Sequence, residues 1–209
     1  MQTHDPILRF ILQKENLPAA LDILKRANEI RHAALQTFWD SILSHLKNTT
    51  PPRIKKFNMQ SEFWPSREQS GNQDYELYFC DARFANQGQH LNYCVRHWIN
   101  ESSYAIDYGI MWNMEVASAS RLWKLPQVEK LRQSLNGEIF KTKGSAWWVG
   151  EAGLVQEDSV EDFLKKHTAN SGQMKQLKQQ LSQGFWQLVG DTIDLVADAN
   201  HAIQRKHQR

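Results

Sequence analysis

The chain has 209 residues, of which 41% are hydrophobic and 23% charged, and this composition excludes a disordered chain and a marginal mini-protein. Lys and Arg number 25 against 23 Asp and Glu, so the formal net charge of +2 indicates neither a strongly basic nucleic-acid binder nor an acidic mimic. Two Cys do not make a disulfide framework, and no apolar run approaches ~18 residues, so we expect a cytoplasmic protein without a membrane segment.

Two helices are predicted at the start of the chain. Asp5 is a candidate N-cap for a short helix from Pro6 to Glu15. Apolar residues at three- and four-residue steps then predict one long amphipathic helix that ends near Lys47. The Pro51-Pro52 pair stops helix growth, because proline lacks the amide donor. We expect the short helix to bury a stripe formed by Ile7, Leu8, Ile11 and Leu12.

Residues 53–113 are rich in aromatic and β-branched side chains separated by turn signals, which predicts the sheet. Tyr75 to Phe84 and Ser103 to Trp112 are predicted strands, and the second alternates apolar residues with small or polar ones such as Asp107. His90 to Ile99 fits both a helix and a strand. We favour a strand, since its neighbours are strands and short loops most simply connect antiparallel ones.

The last part of the chain predicts a helix, a hairpin and two further helices. A helix begins near Pro126, and a hairpin with a Lys143-Gly144 turn is predicted over residues 138–150. Asp158 or Ser159 caps a short helix, and Ser171-Gly172 leads into a long final one.

These elements predict an α+β fold in which an antiparallel sheet of about four to six strands is covered by long N- and C-terminal helices. We expect one domain over residues 1–209, with N-terminal helices at 6–47, the sheet at 53–113, and the helix, hairpin and helices at 118–209. The two long helices are natural packing partners for each other or for a second subunit, which makes a homodimer a further hypothesis.

Four ligand-competent residues, Cys80, His90, Cys94 and His97, lie within eighteen positions. A tetrahedral metal site requires thiolates and imidazoles that converge on one ion. A helix over residues 90–99 would bring three of them together, whereas a strand puts His97 on the opposite side. We therefore assign no metal site, and no cofactor.

A nuclease site requires clustered carboxylates that hold Mg²⁺, with a lysine nearby. Asp107 is the most interesting carboxylate, although a salt-bridged or solvent-exposed strand residue is the simpler interpretation. No strand with Glu-x-Lys follows it, since Glu138 and Lys141 are one residue too far apart. Nucleophile-elbow, phosphate-loop and dinucleotide motifs are missing from the sequence, so we assign no catalytic residue and favour a protein that is not an enzyme.

Aromatic and basic residues alternate around the predicted sheet and hairpin. Such a surface anchors a protein partner, because Trp and Arg dominate binding hot spots, or it stacks bases while the cations meet phosphates. Trp147 and Trp148 are adjacent, so on a strand they face opposite ways and one of them is a candidate exposed anchor or dimer contact. The predicted binding residues are Arg83, Arg96, Trp98, Lys141, Lys143, Trp147 and Trp148.

The order of several segments resembles the accessory C-terminal region of bacterial and phage PD-(D/E)XK-superfamily nuclease proteins. These segments are Phe38-Trp39 with Leu43 and Leu46, Tyr108 to Trp112, the helix Leu125 to Leu135, Trp147-Trp148 and the closing helix. In that family the catalytic carboxylates lie upstream of this region, and we expect this protein to lack that catalytic part. The resemblance therefore implies a binding module of the phage or bacterial defence type, acting as an inhibitor, adaptor or regulator.

The sequence thus leads to two functional hypotheses. The first is a non-enzymatic protein that binds a protein partner through the aromatic and basic surface. The alternative is a nucleic-acid-binding or Mg²⁺-dependent nuclease-like domain that uses Asp107 and neighbouring carboxylates.

Overall fold

A computed structural model describes residues 5–55, 60–65, 75–81, 84, 90–100, 103–113, 116–135, 137–142, 147–167 and 171–207. The chain divides into two compact units, Met1–Ile42 and Leu43–Arg209. The expectation of a single domain over 1–209 stays a prediction.

The first unit begins with a short helix, α1 (Pro6–Ile11), capped as predicted by Asp5, whose Oδ1 accepts a hydrogen bond of 2.8 Å from the amide of Ile7. The predicted burial of its apolar stripe is wrong, because Ile7, Leu8 and Leu12 are exposed. The helix is also shorter than predicted. Amphipathic spacing specifies which side chains share a face, but not that another element packs against it.

A helix of 33 residues, α2 (Leu17–Thr49), follows and confirms the predicted long helix. It begins in the first unit and ends in the second, just before Pro51. A single short turn, α3 (Pro52–Lys55), comes next and buries Ile54.

Five antiparallel strands form one sheet in the order β1-β2-β3-β4-β5. The fold is therefore α+β, as predicted, and the strand assignment of residues 90–99 is confirmed. The second strand ends at Cys80 rather than at the predicted Phe84. The strands are β1 (Gln60–Pro65), β2 (Tyr75–Cys80), β3 (Leu91–Asn100), β4 (Ser103–Trp112) and β5 (Trp148–Glu157).

The predicted hairpin over residues 138–150 is wrong in its pairing. Among the described residues an isolated bridge joins Lys141 to Glu151, and β5 continues to Glu157 along β4. The predicted Lys143-Gly144 turn lies outside the described residues. Gly150 and Gly153 lower the strand propensity of this segment, so its sequence does not predict a strand that continues beyond Gly150. Gly109 favours the long-range pairing, because a Cβ at this position would collide with the carbonyl oxygen of Gly150.

Four helices complete the second unit, namely α4 (Val116–Leu122), α5 (Pro126–Ser134), α6 (Val160–Lys166) and α7 (Gly172–His207). Of the two predicted cap residues of α6, Asp158 and Ser159, it is Ser159 that accepts a hydrogen bond from the amide of Asp162. In the described part of the chain, no helix combines the length and apolar character that crossing a bilayer requires.

One face of the sheet packs against α7 through an aromatic layer. The ring of Phe185 lies 4.8 Å from that of Phe79 and 6.3 Å from that of Tyr93, measured between centroids. Further along α7, the buried Asn200 accepts hydrogen bonds from the amides of His90 and Leu91 and donates one to the carbonyl of Leu91. This packing leaves the residues of opposite parity on the other face of the sheet, where the candidate site lies.

Candidate functional site

A cavity of about 700 Å³ lies on the sheet face opposite to α7. Its walls come from β3, β4 and β5 and from the segment that precedes β5. Four of the seven predicted binding residues line it, namely Arg96, Trp98, Lys141 and Trp147. Asp107 and Glu151 line it too, so the cavity combines two carboxylates, two cations and two indole rings.

The strand register explains why these residues meet. Paired residues of antiparallel strands share a face, and Arg96 pairs with Asp107, which pairs in turn with Gly153. Glu151, two residues from Gly153, lies on the same face. Trp148 would face the other way on a regular strand, but a register shift between Ile110 and Met111 adds one residue to β5 and turns Trp148 to the cavity face.

Asp107 is anchored by Trp98, whose Nε1 donates a hydrogen bond of 2.8 Å to Oδ2 of Asp107. Burial raises the pKa of Asp107, although this hydrogen bond and the charges of Arg96 and Lys141 act in the opposite direction. The simpler interpretation of Asp107 as a solvent-exposed or salt-bridged carboxylate therefore does not describe it fully. Its partner is an indole, and desolvation dominates its electrostatics.

Glu151 is the functional candidate that the sequence reasoning missed. Burial raises the pKa of Glu151, the nearby charge of Asp107 raises it further, and Arg96 and Lys141 oppose both effects. Two carboxylates thus compete for the same two cations. The residues after Gly150 continue as a strand, and they were the available signal for Glu151. The predicted hairpin ended at Gly150, just before this residue.

Arg96 is held in place mainly by stacking. Its guanidinium carbon lies 5.0 Å from the centroid of the Trp148 ring, and its Nη1 is 4.0 Å from Oε1 of Glu76. Tyr78 donates a hydrogen bond to the same Glu76 carboxylate. Within the described residues, the buried Nε of Arg96 has no hydrogen-bond partner. Cation–π contact therefore fixes this side chain while leaving donor capacity unused.

One of the adjacent tryptophans is exposed and the other buried, as predicted, but they do not face opposite ways, since Trp147 lines the cavity and the register shift turns Trp148 to the same side. Trp147 is 46% exposed, whereas Trp148 is 1% exposed and packs with Cys94 and Met111. Trp147 is therefore the more exposed of the two. The buried ring of Trp148 packs against the guanidinium of Arg96.

The two remaining predicted binding residues, Arg83 and Lys143, lie outside the described residues. The four candidate metal ligands are not brought together, since Cys94 lies on the cavity face while buried His97 lies on the α7 face, with its Nδ1 3.1 Å from the Tyr104 hydroxyl. Among the described residues, no group of three or more His, Cys, Asp or Glu side chains is arranged to hold a metal ion.

Comparison with protein-family models, with curated proteins and with solved structures finds no match to this chain in any of the three.

Proposed function

We propose that this protein is a non-enzymatic binding module that docks a protein partner at the cavity on the open sheet face. The observation that carries the proposal is the position of Trp147. This large side chain is 46% exposed and stands in the wall of a cavity of about 700 Å³ that also contains Arg96 and Asp107. Trp and Arg are the residue types that contribute most to protein interfaces.

The cavity supplies the two components that a specific interface combines. An exposed indole offers apolar area at little entropic cost, while buried charges reward only a partner that presents matching groups. Arg96 is fixed by Trp148 before binding, so little of its side-chain freedom is lost when a partner arrives.

The biological setting of this proposal rests on the resemblance to accessory regions of PD-(D/E)XK-superfamily proteins. A module of this kind acts as an inhibitor, adaptor or regulator in a phage or bacterial defence system. Under this proposal the cavity is the surface that recognises the regulated protein.

A capture experiment with matched variants tests the proposal. The full chain is immobilised and exposed to lysate of the source organism, before and after nuclease treatment, beside Trp147→Ala and Ile139→Ala variants. Ile139 is 54% exposed but does not line the cavity, so it controls for the loss of any exposed apolar side chain.

We expect one protein to survive nuclease treatment on the original chain and on Ile139→Ala, and to be lost on Trp147→Ala. Equal capture by all three chains would place the interface elsewhere. Retention of nucleic acid alone, released at moderate salt, would replace the protein-binding proposal with the second candidate.

The second candidate is a Mg²⁺-dependent nuclease-like activity, and the observation that favours it is the meeting of Asp107, Glu151 and Lys141 in one cavity. Two carboxylates from neighbouring strands suit Mg²⁺, which keeps several waters and takes few protein ligands. If Mg²⁺ binds there, it supplies charge neutralisation for a phosphodiester, and Lys141 offers a cation for the phosphate.

Cleavage of labelled single- and double-stranded DNA and RNA with and without Mg²⁺ tests this candidate. We expect any activity to disappear in both Asp107→Asn and Glu151→Gln and to persist in Asp191→Asn, which alters an exposed carboxylate on α7. Activity that persists in the first two variants would remove both carboxylates from consideration.

A further inference from the structure

The outer side of β5 is open along part of its length, because β5 is an edge strand of the sheet. Near its start, Lys141 and Glu151 form an antiparallel bridge on this side. The amide of Lys141 donates a hydrogen bond of 2.8 Å to the carbonyl of Glu151, and the amide of Glu151 donates one of 3.1 Å in return. The edge therefore accepts a further strand. Among the described residues, no other backbone hydrogen bond follows this bridge on the outer side of β5.

The bridge also shows which backbone groups of β5 point outward. In an antiparallel sheet the N–H and C=O of one residue point to the same side, and this direction alternates along the strand. Those of Glu151 point toward Lys141, so those of Gly153, two residues later, also point away from β4. The register with β4 is regular over this stretch. Gly153 is exposed, so its N–H and C=O are accessible to another chain.

The cavity on the open sheet face reaches this edge, since its lining includes the residues from Gly153 to Gln156. Gly153 leaves a passage to Asp107: a Cβ at this position would lie 3.7 Å from Oδ1 of Asp107. The other carboxylate oxygen, Oδ2, accepts the hydrogen bond from Trp98. In the described part of the chain, no Lys or Arg forms an ion pair with Asp107. A cationic group that passes over Gly153 therefore meets Oδ1.

We propose that the protein partner contributes an extended segment that adds to the edge of β5 at Gly153, and that its residue opposite Gly153 is a Lys or Arg that binds Asp107. Paired residues of neighbouring strands share a face, so this side chain points into the cavity. Main-chain hydrogen bonds to an edge strand provide affinity in such complexes, and pockets for alternate side chains provide specificity. This inference rests on the proposed function, since it names the kind of segment that the cavity takes.

The charge of β5 argues against a second copy of this chain as the occupant. β5 contains no Lys or Arg, and its Glu151 and Glu157 would bring further carboxylates toward Asp107. The extra residue Leu154 also interrupts the regular edge, and such bulges hinder edge-to-edge pairing of identical strands. A short segment of another protein carries neither these carboxylates nor a bulge of its own.

A display library of random heptapeptides, selected on the immobilised full chain, tests the proposal. We expect the selected peptides to share a Lys or Arg. A synthetic peptide of the commonest sequence should lose at least about 10-fold in affinity on Asp107→Asn and none on Asp191→Asn, which alters an exposed carboxylate on α7. The same loss is expected when the Lys or Arg of the peptide is replaced by Gln.

Hydrogen exchange of the Gly153 amide, followed by NMR, tests the strand addition itself. We expect exchange to slow at least about 10-fold when the peptide is bound, because the amide then donates to a peptide carbonyl. Gly153→Pro removes this donor and should abolish peptide binding. Gly172→Pro is the matched control, since it alters an exposed glycine at the first position of α7, where proline is tolerated.

Far-UV circular dichroism verifies the fold of each variant, and if Gly153→Pro is misfolded the Gly153 exchange in the original chain decides. A library without binders, an unprotected Gly153 amide, or peptides that bind Asp107→Asn as tightly as the original chain would overturn the inference. A lysate protein that is lost on Trp147→Ala but retained on a folded Gly153→Pro would overturn it too, while leaving the proposed function intact. Retention on Trp147→Ala would instead remove the proposed function.

Discussion

The indole of Trp98 and the carboxylate of Asp107 are joined by a hydrogen bond of 2.8 Å between Nε1 and Oδ2, on the cavity face of neighbouring strands. The contact runs diagonally, since Trp98 pairs with Ala105 in the register and Asp107 pairs with Arg96. A donor aimed at a carboxylate stabilises its ionised form. Trp98 therefore limits the rise in the Asp107 pKa that burial causes.

Replacing Trp98 by Phe removes this donor while keeping an aromatic ring. We expect the pKa of Asp107 to rise above its value in the original chain, because burial then acts with one less opposing interaction. At neutral pH the loss of one hydrogen bond to a charged group costs about 1–3 kcal/mol of unfolding free energy. An NMR titration of the Asp107 side-chain carbonyl carbon measures the pKa directly. Trp123→Phe, which alters an indole outside the cavity, is the control, and an identical Asp107 titration in all three chains would contradict the expectation.

Glu151 makes stability depend on pH in a defined direction. Its pKa is raised in the folded chain above the ordinary 4.5, so the folded state holds its proton more tightly than the unfolded state does. The resulting stabilisation is fully present below the unfolded pKa and is lost as pH rises through the folded pKa. Glu151→Gln lacks this loss. We therefore expect the unfolding free energy of Glu151→Gln, relative to the original chain, to increase from acidic to neutral pH.

Urea unfolding at a series of pH values measures this difference, with Asp191→Asn as a control for removing one exposed carboxylate. A difference between Glu151→Gln and the original chain that decreases toward neutral pH would show that Arg96 and Lys141 outweigh burial and the Asp107 charge.

Two glycines, Gly109 on β4 and Gly153 on β5, predict opposite outcomes for the same substitution. Gly109→Ala would place a Cβ against the carbonyl oxygen of Gly150, where backbone atoms have no room to move aside. In Gly153→Ala, the new Cβ would lie 3.7 Å from Oδ1 of Asp107, which is an ordinary contact. We expect Gly109→Ala to cost at least about 2 kcal/mol of unfolding free energy and Gly153→Ala to stay within about 1 kcal/mol. Chemical denaturation compares the two, and equal losses would show that β5 shifts to accommodate the methyl group.

Asn200 secures the start of β3 to α7 and is fully buried. Asn200→Ala leaves two amides and one carbonyl of His90 and Leu91 without this side chain, and we expect a cost of about 2–4 kcal/mol. Asp198→Ala, an exposed position two residues earlier on the same helix, should stay within about 0.5 kcal/mol. Denaturant midpoints determine both values. A small effect of Asn200→Ala would indicate that water replaces the side chain.

The sequence predicted those features that depend on local pattern. The period-two alternation of residues 103–112 placed Asp107 on the face opposite to the aromatic core, and the adjacency of Trp147 and Trp148 predicted that one is exposed and the other buried. Cap signals at Asp5 and Ser159 were also sufficient, because a cap is made within three residues.

Features that depend on distant pairing were not predictable in this way. β5 passes close to Gly109 at Gly150, 41 positions later in the chain, and no local pattern signals this pairing, so the hairpin prediction ended before Glu151. The exposure of Ile7 and Leu8 was missed for a related reason. Their spacing is the same whether a partner covers them or water does.

Because β5 contains an extra residue, the set of side chains on the cavity face depends on the number of residues in β5 as well as on their chemistry. Trp148 and Glu151 are three positions apart, an odd number, and they share a face only because Val149 occupies a step of β5 that β4 lacks. A second extra residue, Leu154, shifts the register again between Gly153 and Val155. Deleting Val149 alone would reverse the orientation of Trp148 relative to Glu151 and withdraw the ring beneath Arg96 without altering any cavity-lining side chain. Point substitutions at the lining residues adjust this site gradually, whereas a single-codon deletion in β5 would dismantle it in one step.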